Sequence, residues 1–403
     1  MMFCLDNFVA DYVIKRPLSM FKKDIDTNVS RLSEKICGKS VLVIGGAGTI
    51  GSSFIKSILP FKPSTLIVVD TNENALAELT RDLRSTIDLY IPKEYTTYPV
   101  DYASKVFAKI FRMHKGFDIV GNFSAHKHVR SEKDVFSVEA LLNNNVLNAK
   151  LLLDLLQEFP PEEYFCVSTD KASNPVNIMG ASKRIMEDLI FSYSDKFPVK
   201  TARFANVAFS NGSLPQGFIE RIHKLQPISA PNDVKRYFVS LEESGQICML
   251  ACVLGNNREI FFPKLQETQM MSFDEIACNL LHEYGFEIVE CNSDEEAVER
   301  SIALKNGGNL YPVHFSKSDT SGEKSYEEFY TESELKDLKR FCSLGVIVNK
   351  GMPNKERLDS LLNNLKEIFK RTDVNKNTIV NVLKDYLPNF NHIETGKSLD
   401  NKM

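Results

Sequence analysis

Nowhere in its 403 residues does this chain approach the ~18–20 uninterrupted apolar residues that a bilayer-spanning helix requires, so membrane insertion is not expected. The opening stretch, MMFCLDNFVADYVIKRP, has an early Asp and lacks a basic start followed by a long apolar core, so it does not read as a secretory leader. There is no basic block. With 49 Lys and Arg against 53 Asp and Glu, the formal charge of −4 argues against a nucleic-acid-binding face. Internal repeats and low-complexity linkers are absent too. The 8 cysteines are scattered, and the nearest pair, Cys248 and Cys252, sits at helical spacing in ICMLACVLG without a histidine or second pair nearby. That pattern is one of core packing, and it excludes a zinc module. Reduced, buried thiols fit a cytoplasmic protein.

What is present is an ordinary globular composition, 43% hydrophobic and 25% charged, on a chain long enough for one large or two medium domains. SVLVIGG and TLIVVD (Thr65–Asp70) are continuous apolar runs, as strands buried on both faces are. FDIVGNFSA (Phe117–Ala125), EYFCVST (Glu163–Thr169) and VKTARFANV (Val199–Val207) are further strand candidates, with helix-like segments such as Val138–Phe159 and Gly180–Lys196 between them. Strands alternating with helices predict an α/β fold with a doubly wound parallel sheet. Residues 1–38 read as a helical extension, 39–262 as the nucleotide-binding domain, with 208–240 contributing to a substrate site, and 263–403 as a smaller, mainly helical cap. Within the cap, Ser272 and Glu275 have capping-box spacing, FEIVEC suggests a short strand, and Lys355–Arg371 an amphipathic helix. Gly396–Met403 reads as a frayed tail.

GGAGTIG sets Gly45, Gly48 and Gly51 at three-residue intervals between a buried strand and a helix. Such a loop allows a tight turn, close approach of a diphosphate to the backbone, and close packing of helix on sheet, with the helix N-terminus facing the anion. Asp70 ends the next strand, near the ~20-residue separation expected of a carboxylate that holds an adenosine ribose. The pattern is Rossmann-type. A carboxylate there repels a 2′-phosphate and no arginine follows until Arg81, so NAD is favoured over NADP.

The segment STDKASNPVNIMGASK (Ser168–Lys183) puts an acid and an amine side by side and ends in a second lysine. Taken with KRP near the start, FSAHKHV (Phe123–Val129), NNNV (Asn143–Val146), RFANV and KRYF (Lys235–Phe238), it resembles the extended short-chain dehydrogenase/reductase superfamily. Within that superfamily it is most similar to the nucleotide-sugar 4,6-dehydratase branch of polysaccharide biosynthesis, which acts on UDP-N-acetylglucosamine. The resemblance covers about residues 12 to 262, with an echo at SGEKSYEEFY (Ser321–Tyr330). Met179 stands where the superfamily places a tyrosine, a variation found in this branch, and a thioether cannot exchange protons. AFSNGSLPQGF departs from the family's tighter Gly-Ser run, and YPVDYAS matches its Asp motif loosely. Many relatives also carry a membrane-spanning N-terminal half.

The resemblance implies a tightly held NAD contacted by Gly45, Gly48, Thr49, Ile50, Gly51, Asp70, Asn72, Asp101, Ser124, Ala125 and Lys183. It implies oxidation at sugar C4, loss of water across C5 and C6, and hydride return to C6. Asp170 is then the acid at C6, Lys171 the base at C5, and Thr169 a relay for the C4 hydroxyl proton, with Lys183 or water as its sink. Asn206 and Arg236 are implied in binding the nucleotide sugar, GEK (Gly322–Lys324) is a candidate closing loop, and a homo-oligomer is expected. His126 and His128 lack a third ligand, so no metal is expected. A 4-epimerase of the same superfamily needs no C5/C6 pair. A non-catalytic dinucleotide-binding protein needs neither that pair nor Lys183.

Overall fold

The computed structural model describes residues 3–318, 326, 328–348 and 350–394 (all but the side chain of Arg130). Gly322–Lys324 and Gly396–Met403 lie outside them. Among the described residues, nine strands form the main sheet: β1 Ser40–Ile44, β2 Thr65–Asp70, β3 Glu94–Pro99, β4 Ile119–Asn122, β5 Glu163–Val167, β6 Val199–Ala202, β7 Glu259–Pro263, β8 Lys336–Asp337 and β9 Leu344–Ile347. Their order is β8-β9-β7-β6-β5-β4-β1-β2-β3. β1 to β7 are mutually parallel, β9 runs antiparallel to β7, and β8 pairs antiparallel with β9. The strand order reverses between β1 and β4, so a crevice opens there at the carboxyl ends of the strands.

The strands follow from their sequences. β1, β2, β4 and β5 are buried along nearly all their length, because helices cover both faces. VKTARFANV does not stay one strand. β6 ends at Ala202, and Asn206–Val207 pairs instead with Phe238–Val239. Val138–Phe159 is likewise interrupted, with a π-helical turn over Asn143–Asn148 between two α-helical segments.

Four helices matter most to the site: α1 Lys22–Ile36, α2 Thr49–Ile58, α3 Ile178–Phe191 and α4 Leu241–Leu254. α4 is buried from Glu243 onward on almost every side and packs directly on α2. A Cβ at Gly245 would fall 2.1 Å from the Ser53 carbonyl oxygen, so only glycine permits that approach. Cys248 and Cys252 are fully buried on α4, inside the main core.

A second hydrophobic core is separate from the first. The parallel strands Glu287–Glu290, Leu310–Ser316 and Ile228–Pro231 form its sheet, with Leu310–Ser316 in the middle. Phe8, Val9 and Val13 from the N-terminal segment pack into it with Phe218, Ile276, Leu280 and Tyr311. The residues beyond 263 thus divide between two cores. β8, β9 and the helices Lys355–Ile368 and Lys376–Tyr386 join the main one. The capping box expected at Ser272 is absent. Ser272 is the N-cap without a side-chain hydrogen bond and pairs with Lys235 in a short antiparallel bridge, while Glu275 turns toward Lys15 at 3.7 Å.

Candidate active site

The glycine loop has the geometry its spacing predicts. Gly45 sits at φ +71°, and a Cβ there would lie 2.6 Å from the backbone nitrogen of Ser124. A Cβ at Gly51 would lie 2.3 Å from the Gly45 carbonyl oxygen, so this contact sets how closely α2 rests on β1. Gly48 is the N-cap of α2, and no side chain caps it. The first amides of the helix therefore face the crevice.

Asp70 ends β2 and ties the loop together. Its Oδ2 accepts from the Ala47 amide at 3.1 Å and its Oδ1 from the Asn72 amide at 3.0 Å. The Asn72 side chain caps the next helix by accepting from Ala75. Asp101 follows β3, exposed, and accepts from Ala103 at 2.8 Å. Thr49 Oγ1 accepts from the Asn211 amide at 3.0 Å, which joins the loop to the segment after RFANV, and Ile50 packs on the main core. Ser124 and Ala125 follow β4, where Asn122 receives the Ser124 amide. Every one of these residues lies at or just beyond the carboxyl end of a parallel strand or at the start of α2.

NNNV braces the same region. Asn145 accepts from the His126 amide at 2.9 Å and donates to the His126 carbonyl and to Ser182 Oγ, each at 3.0 Å. One buried amide thus joins the loop after β4 to α3.

Between β5 and α3 runs the acid–amine turn. Asp170–Ala172 is one turn of 3₁₀ helix, and Thr169 heads it without a side-chain cap. Asp170 is buried, and its Oδ1 accepts from Thr169 Oγ1 at 2.7 Å, from the Lys171 amide at 2.9 Å and from Lys171 Nζ at 3.2 Å. A Cβ at Gly180 would lie 2.6 Å from the Lys171 carbonyl oxygen, so the start of α3 presses on this turn. Lys183 is buried, with Nζ 3.1 Å from the Val167 carbonyl, and burial pushes its pKa below the usual lysine value. Met179 is buried, and its amide donates to Glu132 Oε1 at 2.9 Å.

Several residues here escaped sequence reasoning. Glu132, buried in the loop after β4, meets Met179 on one oxygen and His392 Nε2 at 3.4 Å on the other. Arg203 and Glu187 are fully buried and joined by two 2.7 Å hydrogen bonds, and Glu334 and Lys350 reach the same cluster from the C-terminal return. Only the arginine in RFANV hinted at this. The acids sit in helical or loop sequence with nothing to mark them. Arg236 is buried and donates to the Lys235 carbonyl at 2.9 Å, two residues from the Phe238 that pairs with Asn206.

A family model for a polysaccharide biosynthesis protein matches residues 41–334. The chain belongs to that family. Its relatives include an uncharacterized membrane protein of Methanocaldococcus jannaschii, 29% identical over 86% of this chain and 96% of its own length. The probable polysaccharide biosynthesis protein EpsC of Bacillus subtilis is 27% identical over 77% of this chain, which spans only 50% of that longer protein. An inverting UDP-N-acetylglucosamine 4,6-dehydratase of Campylobacter jejuni is 24% identical over 79% of this chain and 91% of its own. Among solved structures, Pen from Bacillus thuringiensis superposes with TM-score 0.60 at 22% identity, covering 77% of this chain and 87% of that one. The dTDP-glucose 4,6-dehydratase DesIV of Streptomyces venezuelae, solved with NAD and TYD, gives 0.54 at 19% over 72% and 88%. Both share the Rossmann-type fold. Among the described residues, no helix is long and apolar enough to cross a membrane.

Proposed function

We propose that this chain is a nucleotide-sugar 4,6-dehydratase that uses NAD, held tightly through its cycle, to convert UDP-N-acetylglucosamine or a closely related sugar nucleotide into a 4-keto-6-deoxy sugar. The chain's own residues fit the cofactor. Gly45 leaves the backbone bare where a side chain would meet Ser124, and the uncapped start of α2 suits a diphosphate. Gly45, Gly48, Thr49, Ile50 and Gly51 would hold that diphosphate, and Asp70 with Asn72 its ribose. Asp101 would sit at the adenine, and Ser124, Ala125 and Lys183 at the nicotinamide half. When bound, the nicotinamide supplies reversible hydride transfer, out of C4 and back into C6.

The chain's residues account for the proton movements. A ketone at C4 acidifies the C5–H bond, so elimination needs a base at C5 and a proton donor for the leaving C6 hydroxyl. Lys171 takes the C5 proton and Asp170 gives one to the departing oxygen. These roles place the ready proton on Asp170 and leave the Lys171 amine bare. One transfer across the 3.2 Å contact converts the ion pair into that arrangement. Thr169, 2.7 Å from Asp170, can relay the C4 hydroxyl proton in place of the missing phenol, with Lys183 or water as its sink. Asn206 and Arg236 would receive the sugar nucleotide, Arg236 with the planar fork that suits a phosphate. Assembly as a homo-oligomer belongs to the same reading.

The observation that carries this reading is the Asp170–Lys171 contact, set beside the buried Lys183 at the carboxyl end of β5. An epimerase has no use for that pair. The test is a panel of UDP-, dTDP- and GDP-hexoses incubated with the purified protein and NAD, read by mass spectrometry. Loss of one water from one of them supports the reading. An epimer of unchanged mass, or no conversion at all, refutes it.

A further inference from the structure

Beneath the acid–amine turn, a cluster of charges built on the buried Glu187 and Arg203 grips the end of β5. Ser168 Oγ donates to Glu187 Oε1 at 2.7 Å, and the same oxygen accepts from Arg203 Nε at 2.7 Å. Arg203 Nη2 completes a fork on Glu187 Oε2 at 2.7 Å. On its other edge, Arg203 holds Glu334 through Nη1 at 2.8 Å and Nη2 at 3.0 Å. Lys350 Nζ lies 3.5 Å from Glu187 and 3.8 Å from Glu334, and Arg184 lies within 3.5 Å of both acids.

Two consecutive residues of β5 and its end are therefore seized by two residues one helical turn apart on α3. Lys183 takes the Val167 carbonyl and Glu187 takes the Ser168 hydroxyl. The next three residues in the chain are Thr169, Asp170 and Lys171. A buried charge cluster is a poor device for stability alone, since well-packed apolar groups of similar volume often serve as well or better. What it does well is fix geometry, because a forked arginine tolerates little rotation of its partners.

We propose that Glu187, Arg203 and Glu334 are positioning residues for the elimination step. They hold Ser168 in place and, through it, the stance of Asp170 and Lys171 at the sugar. The C-terminal return supplies Glu334 and Lys350, so a segment far from the reacting atoms in sequence completes the catalytic geometry. This inference rests on the dehydratase reading, and the test separates the two.

Wild-type protein, Ser168→Ala, Ser168→Thr and Glu334→Gln are assayed with NAD and the nucleotide sugar that the wild type dehydrates, together with melting temperature and the pH profile of kcat. Ser168→Ala removes one hydroxyl and leaves every charge paired. It is expected to lower kcat by about tenfold or more with KM unchanged, since misplacing reacting groups by 1 Å can cost ~10² in rate. Its pH profile is displaced, its melting temperature stays near that of the wild type, and Ser168→Thr restores rate. Glu334→Gln moves kcat in the same direction. Wild-type kcat and pH profile in Ser168→Ala overturn the inference while leaving the dehydratase reading intact. So does a loss of rate accounted for by a lower melting temperature. Should the wild type release water from no nucleotide sugar, the reading falls and this inference falls with it.

Discussion

The ammonium of Lys171 lies 3.2 Å from the Asp170 carboxylate, two neighbours in sequence joined across a single 3₁₀ turn. In the proposed chemistry neither residue can stand in for the other, because one must give a proton where the other takes one. Asp170→Asn and Lys171→Ala are each expected to cost about 10² or more in dehydration rate, the lower range of a single proton-transfer contribution. Cofactor should remain bound in both. Product formation by mass spectrometry, beside the nicotinamide content of the purified variant, checks this. Substantial turnover in either variant removes that residue from its role.

Gly51→Ala is expected to abolish dinucleotide binding. Its new methyl would be driven into the Gly45 carbonyl, a backbone atom that cannot yield without moving β1 or α2. Gly45→Ala adds the strain of a left-handed backbone at φ +71°, roughly 1 kcal/mol or more for a residue with a Cβ. Titration of each variant with NAD by calorimetry should show at least a tenfold weaker Kd, or none measurable.

Met179→Ala is expected to be mild in turnover, within about threefold of wild type, because a thioether carries no proton and the contact that matters is made by the backbone. Its stability should fall by about 2–4 kcal/mol, as for other buried large-to-small changes. Complete loss of turnover in a folded variant would mean that the side chain shapes the sugar site directly.

Arg16 has a different part to play. Its guanidinium forks onto Glu243, a fully buried acid that also receives the Met20 and Ser240 amides. KRP is thus a pin that ties the N-terminal segment to α4. Arg16→Ala leaves that carboxylate buried with its cation gone, a change expected to cost about 3–5 kcal/mol. Urea denaturation should show the midpoint falling accordingly, with the site residues untouched.

Acid should weaken the cluster under β5. Burial alone would raise the carboxyls of Glu187 and Glu334, but Arg203 and Lys350 override it and hold both below the ordinary glutamate value of about 4.5. A depressed folded-state value means that stability is fully present above the unfolded value and is lost as pH falls through it toward the folded one. Wild-type protein should therefore lose stability steeply below about pH 4.5. Glu334→Gln, measured by urea midpoint from pH 7 to pH 3, should show a shallower loss.

The readable part of this protein was the part built from local pattern. Buried strands betray themselves by unbroken apolar runs, and the three glycines plus Asp70 announce a loop whose shape each residue dictates. β3 was not legible, because EYTTYP is half-exposed at the sheet edge and carries no apolar run. Of the second core, only the strand in FEIVEC was legible. Its strands come from residues 228, 287 and 310, and no sequence pattern announces that Phe8 and Val13 complete it. Glu187 and Glu334 look like ordinary surface acids in sequence. Only the folded chain reveals that Arg203 pairs with both, since pairing between residues 131 apart leaves no local trace.

The most direct measurement is the reaction of wild-type protein with UDP-N-acetylglucosamine in heavy water, followed by mass spectrometry and NMR of the sugar. The account predicts a product lighter by one water with solvent deuterium at C5, and loss of both signals in Lys171→Ala. A product of unchanged mass epimerised at C4, with the C5 hydrogen undisturbed, would contradict it.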